Sequence, residues 1–230
     1  MKKILTFGMF TCLAVSLFAI DFSIGGGLDY TGTLESFKGT GKIPIIGTDV
    51  SVNSDTTKNF LGAHIFFDAT YIRLGLGADF SVNGFKTEGN GSLAGLTVKP
   101  SGSNADYRET NFDISILGKY PFKLGLVDLY PMLGFDFAFN VAAQDGDTDL
   151  RKNASDSWKK DMNHYYFVLG LGADVNLGKF FINPTASFGV DLKKPSTYNN
   201  EKKAFEYLND AKVRHNNFMF NVGLGFGYRL

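Results

Sequence analysis

The sequence predicts an all-β protein: an eight-stranded antiparallel up-and-down transmembrane β-barrel with four long extracellular loops and three short periplasmic turns. Three observations predict it. Apolar residues alternate with small or polar ones in eight separate runs. The links between runs alternate between short and long. The face opposite the apolar one is almost empty of lysine and glutamate.

The runs follow in order, each with a period of two, which is the strand repeat. The first, 22–30, sets Phe22, Ile24, Leu28 and Tyr30 against Ser23, Gly25, Gly27 and Asp29. The second, 60–68, is joined by Ala69-Thr70 to the third, 71–82, in which Leu74, Leu76 and Phe80 oppose Arg73, Gly75, Gly77 and Asp79. The fourth, 111–122, alternates Phe112, Ile114 and Ile116 with Asp113, Ser115 and Lys119. A link over 123–128 leads to the fifth, 129–140, where Leu133, Phe135 and Phe137 oppose Tyr130, Met132 and Asp136. The sixth, 165–176, and seventh, 180–191, are joined by 177–179, and the eighth runs from Phe218 to Leu230. Long links span 31–58, 84–109, 141–163 and 193–215. Tight turns at one end and long loops at the other describe an up-and-down barrel.

Side-chain type decides which face looks out. All five glutamates, at 35, 88, 109, 201 and 206, fall in the long links. Of the 23 lysines and arginines, only Arg73, Lys119 and Arg229 lie inside runs, all on the small-residue face. A water-facing surface built of glycine would be anomalous, whereas the crowded lumen of an eight-stranded barrel needs small residues. The apolar face therefore looks outward, into lipid. A closed barrel is the sheet a bilayer accepts, because all its backbone groups are paired. Outward aromatics gather at both ends: Tyr30, Phe80, Phe112, Phe139, Tyr165 and Phe218 beside the loops, and Phe22, Phe67, Tyr120, Phe122, Phe180, Phe226 and Tyr228 beside the turns. Two such girdles mark outer-membrane barrels.

The N-terminus reads as an address. Lys2 and Lys3 precede an apolar run from Ile4 to Phe18 and then Ala19, the layout of a secretory signal peptide over 1–19. Cleavage after Ser16 competes with cleavage after Ala19. Cys12 follows a poor lipobox, so the single cysteine leaves with the signal and the mature domain, 20–230, has no disulfide. The expected location is the outer membrane, reached through the periplasm. Zero net charge over the whole chain gives no pointer to nucleic acid.

The last strand carries a local pattern: Asn221, Gly223, Phe226 and Tyr228 stand at the spacing polar, any, Gly, two of any, aromatic, any, aromatic. This resembles the assembly signal of bacterial outer-membrane proteins, although the chain ends Tyr-Arg-Leu. With the barrel count, the chain resembles the small eight-stranded outer-membrane barrels of the OmpX, OmpW and OmpA-barrel kind. The resemblance implies recognition of the last strand by the barrel-assembly machinery. It names an architecture and no activity.

The chemistry is sparse. His64 is placed in the lumen, His164 and His215 at the loop rim, and no Ser/His/Asp spacing singles out a nucleophile. No enzyme activity and no cofactor are expected; a lipid A-modifying enzyme is the weakest alternative. Asp145, Asp147, Asp149 and Asp156 have calcium-loop spacing, but Leu150 stands where the turn glycine is required, so a solvated acidic loop is expected and no metal. Residues 201–213 place Ala204, Phe205, Leu208 and Ala211 on one helical face, predicting a short helix over the barrel mouth. Counting height along the strands puts Asp29, Asp79, Asp113, Asp136 and Asp191 in an acidic collar toward the outer mouth. Arg73, Lys119 and Arg229 form a basic base, with Asp174 as partner. A collar of this kind would concentrate cations. Two functions stay open: a non-enzymatic surface barrel whose loops meet a ligand or support the envelope, and a narrow passive channel for small solutes, hydrophobic ones included. Aromatics at Phe60, Phe66, Tyr130 and Phe181 inside the lumen favour the first.

Overall fold

The eight alternating runs fall within eight strands: β1 (Phe22–Lys42), β2 (Asp49–Ala69), β3 (Ile72–Leu93), β4 (Tyr107–Lys119), β5 (Val127–Asp145), β6 (His164–Leu177), β7 (Phe180–Asp191) and β8 (Asn209–Arg229). They come from a computed structural model that describes residues 21–230 apart from 94, 95, 100, 153, 196 and 197. The proposed signal peptide over 1–19 lies outside the described residues. Each strand pairs antiparallel with the next, and β8 returns to pair with β1, so the ring closes into a barrel. Four short strands attach to it. Leu96–Val98 and Ser101–Asn104 lie against upper β3, Phe122–Lys123 pairs back onto β5 in a turn, and Thr148–Asp149 extends the top of β5. Two short helices, α1 (Asp156–Asp161) and α2 (Tyr198–Glu206), sit in the third and fourth long links.

Much of what the sequence presents as loop is strand. Of the link 31–58, only residues 43–48 leave the sheet, closed by Ile43 N–H to the Thr48 carbonyl and Gly47 N–H to the Ile43 carbonyl. The backbone alternation continues past Tyr30, but Thr31, Thr33 and Glu35 face the lumen while Gly32 and Ser36 face out, so the hydrophobic period vanishes. At ~3.3 Å per residue and ~40° tilt, 21 residues rise roughly 53 Å, about twice the ~25 Å height of a barrel's apolar band. The walls β1–β3 and β8 therefore project beyond that band.

The helix expected over 201–213 is displaced. It spans Tyr198–Glu206, and β8 begins at Asn209. Residues 209–217 find backbone partners on β1, such as Arg214 opposite Lys38, and a continuous ladder outweighs a weak helical period. Leu208 and Ala211 consequently lie off the helix. Phe205 covers Gly39, its ring 6.4 Å from Phe37, and Leu208 covers Gly41.

The distribution of polarity is inverted relative to a water-soluble fold. Leu28, Leu171 and Leu224 are more than 60% exposed, while Asp68, Arg73, Glu109 and Asn183 are buried. Rings pair along both ends of the apolar band: Phe22 with Phe67 and Phe180 with Phe226 beside the turns, Phe188 with Phe218 and Phe139 with Tyr165 beside the loops. Lumen glycines permit close approach of neighbouring strands. At Gly134 an added Cβ would strike the Ile116 carbonyl and lie 2.8 Å from Leu117 Cα, both rigid backbone. Gly134→Ala is expected to destabilise the barrel by about 1–3 kcal/mol, as overpacking does, whereas Gly102→Ala, with nothing within 4 Å, should be near neutral. Urea unfolding in lipid vesicles measures both, and equal stability of the two variants would refute the close approach.

Candidate functional site

The lumen is organised in three tiers. At the base, Asp68 receives two bonds from Arg73, Nε to Oδ1 at 2.7 Å and Nη2 to Oδ2 at 2.8 Å, and a third from Lys119 Nζ at 2.6 Å. The tight hairpin between β2 and β3 makes this pairing, because it sets Asp68 directly opposite Arg73. Arg73 Nη1 also donates to Asn183 Oδ1 at 2.9 Å, and its guanidinium lies 4.1 Å from the centre of the Phe66 ring. Tyr130 donates to Asp174, and Asn183 donates to both. Arg229 reaches Asp128 at 2.8 Å. Phe181 and Tyr130 are fully buried among these groups.

This base is not net basic. Arg73 and Lys119 meet Asp68, Arg229 meets Asp128, and Asp174 lies among them on Asn183 and Tyr130, so three cations share the tier with three carboxylates. The alternation set Asp68 on the inward face and left Asp128 in the link 123–128; the folded sheet is what joins both to the cations.

Above the base is a cavity of about 130 Å³, room for several waters. Asp29, Asp79, Asp113 and Asp136 all line it. Asp29, Gly62 and Asp79 share one register row, and a Cβ on Gly62 would strike both carboxylates. His64 Nδ1 is 3.0 Å from Asp29 Oδ2. Among the described residues, the remaining oxygen of Asp29 and one of Asp113 have no hydrogen-bond partner. Asp191 does not join this collar. It sits at the rim with His164 Nδ1 at 2.7 Å, and Asn217 donates to it. The expected collar of five is thus a group of four plus a separate His–Asp pair. Among the described residues, no group of three or more His, Cys, Asp or Glu is arranged to hold a metal ion.

The mouth is laced by polar pairs that lay in segments expected to be loop. Lys58 Nζ bonds Glu109 at 2.7 Å, and Tyr107 donates to the same carboxylate. His215 Nε2 meets Glu35 at 3.0 Å. Lys193 Nζ donates to the carbonyls of Lys160 and Asn163, tying the top of β7 to the end of α1. All three histidines therefore sit against carboxylates. Among the described residues, no serine or threonine hydroxyl bonds the rings of His64 or His164. The calcium-like stretch is used locally: Asp149 accepts from the amides of Arg151 and Lys152, and Asp145 from Asn104.

The residues of the terminal pattern divide between faces. Asn221 points inward and donates to Thr31, and Gly223 lies beside Thr185 and Asp29. Phe226 and Tyr228 point outward and pack on Phe180.

Fold and site together define a closed antiparallel β-barrel with an apolar exterior and a polar interior sealed at one end. No protein-family model matches the chain, and no curated protein does. Among solved structures, the chain is similar to the translocator domain of autotransporter NalP from Neisseria meningitidis, at 13% identity, covering 89% of this chain and 88% of that one, with a TM-score of 0.25. A TM-score that low carries no fold assignment, which rests on the strand pairings.

Proposed function

We propose that the chain is a non-enzymatic outer-membrane β-barrel protein, exported through the periplasm, whose projecting strands and loops serve surface interaction or envelope integrity. The observation that carries this reading is the inverted polarity: an outward belt of exposed leucine, isoleucine and phenylalanine around an interior of paired charges. Fully burying one such side chain is worth about 1.5–3 kcal/mol, so a belt left in water forfeits a large stabilisation that lipid would supply. The terminal pattern from Asn221 to Tyr228 is the handle offered to the barrel-assembly machinery.

A sealed lumen supports a surface role over a conduit. Phe66, Tyr130, Phe181 and the Asp68–Arg73–Lys119 cluster fill the base below the cavity. The mature chain is expected to refold into detergent or lipid vesicles, to show heat-modifiable migration on gels, and to give no conductance in planar bilayers. A folded, monodisperse monomer in plain buffer would overturn the membrane reading. A steady conductance would overturn the sealed lumen and favour the narrow channel, with cation selectivity if Asp79 and Asp113 face its path.

A further inference from the structure

Above the apolar band, one side of the outer wall carries unpaired positive charge. On β1 the outward residues beyond Leu34 are Ser36, Lys38, Thr40 and Lys42; on β8, beyond Phe218, they are Asn216, Arg214 and Lys212. The register sets Lys38 directly opposite Arg214, and Thr40 opposite Lys212. Three cations thus occupy two successive outward rungs, and Lys42 follows. All four are exposed, and among the described residues none is in an ion pair. Asp49 and Asp55 on β2 stand opposite Lys42 and Ser36, and neither closes a salt bridge to the strip. By contrast, Lys86 is held by Glu88, Lys58 by Glu109, and Arg108 by the carbonyls of Ala105 and Tyr107.

Like charges facing each other across an antiparallel pair destabilise it, so Lys38 and Arg214 call for a counter-charge. Their height says where it comes from. They lie four residues beyond Leu34 and Phe218, the last outward apolar pair, which is roughly 10 Å at ~3.3 Å per residue and ~40° tilt. A bilayer's headgroup layer extends roughly 5–8 Å past the hydrocarbon, and long cationic side chains bend toward it. The wall is also stepped at this place. β7 ends at Asp191, so above Phe218 strand β8 has a strand partner on the β1 side alone, and its other edge is met by α2, whose Tyr198 hydroxyl donates to the Val213 carbonyl. A headgroup on the outward face there meets Arg214 and Lys212, and Phe218, Phe220 and Val222 continue below as an apolar track.

We propose that this strip binds the phosphate-bearing headgroup of an outer-leaflet glycolipid, with its acyl chains along Phe218, Phe220 and Val222. The inference rests on the outer-membrane reading. The test uses the mature barrel refolded in detergent micelles, with bisphosphorylated lipid A as probe and native mass spectrometry to count bound lipid. Wild type should retain the lipid. The Lys38→Gln/Lys212→Gln/Arg214→Gln variant, and wild type offered the dephosphorylated glycolipid, should each bind about tenfold more weakly or worse. Millimolar inorganic phosphate should not displace the lipid; displacement would reduce the strip to a plain anion site and overturn the proposal. Equal retention by the variant would also overturn it. So would a variant that oligomerises yet keeps its lipid, since the cations would then serve to keep a second copy away from the upper edge of β8. If the triple variant does not fold, Lys212→Gln alone and the charge-preserving Lys38→Arg take its place, with partial loss and full retention expected. Heat-modifiable migration separates the two claims: a chain that fails to fold in detergent sinks the membrane reading, and a folded barrel indifferent to phosphate sinks the glycolipid alone.

Discussion

Replacing Asp68 with alanine is expected to cost about 3–5 kcal/mol of barrel stability, because it leaves two buried cations without a partner. Arg73 and Lys119 both bond this one carboxylate, and all three side chains are at most 6% exposed. The cation–ring contacts to Phe66 and Tyr130 remain but do not neutralise a buried charge. Urea titration of the refolded protein in vesicles reads the loss. The joint variant Asp68→Leu/Arg73→Met/Lys119→Met supplies the control: with all three charges removed, stability should return to near that of wild type. A loss below about 1 kcal/mol for Asp68→Ala, the range of exposed pairs, would show that water reaches the base and that the lumen is open there.

Leu169→Arg should cost about 2–4 kcal/mol in bilayers, the penalty for a cation near mid-height on a lipid-facing wall, and Leu74→Arg, nearer the turn-side interface, should cost less. Both leucines are outward and about half exposed, Leu169 in the middle of the apolar band and Leu74 opposite Phe67 of the turn-side girdle. The neighbouring lumen position responds for a different reason. A Cβ at Gly75 would strike the Ser115 hydroxyl, so Gly75→Arg should fail by crowding in detergent and bilayer alike. Leu169→Arg should be tolerated better as the bilayer is thinned, since the cation then reaches water. Outward arginines without effect on unfolding would mean that the belt does not face lipid.

The period of two was legible wherever one face was apolar and the other small. That made the strand centres and the inward direction of Asp29, Arg73, Asp79, Asp113, Lys119 and Asp136 readable from the chain alone. It failed above residue 30 of β1 and below residue 60 of β2, where both faces are polar and a strand resembles a loop. The salt bridge between Lys58 and Glu109 was hidden for that reason. Asp68 left a signal that could have been used: a tight hairpin at Ala69-Thr70 makes Asp68 and Arg73, five residues apart, cross-strand neighbours.

Alternation, composition and turn length therefore determined which residues face in and which face out, since these depend on the chain's local period and on the solvent each face suits. Partnership was decided by the closed ring. Counting along single strands put Asp191 in one collar with Asp29, yet it faces His164 and Asn217 at the rim, while four other carboxylates crowd one cavity. Which charges share a tier depends on the stagger between strands and on closure of β8 against β1, and both are properties of the whole sheet.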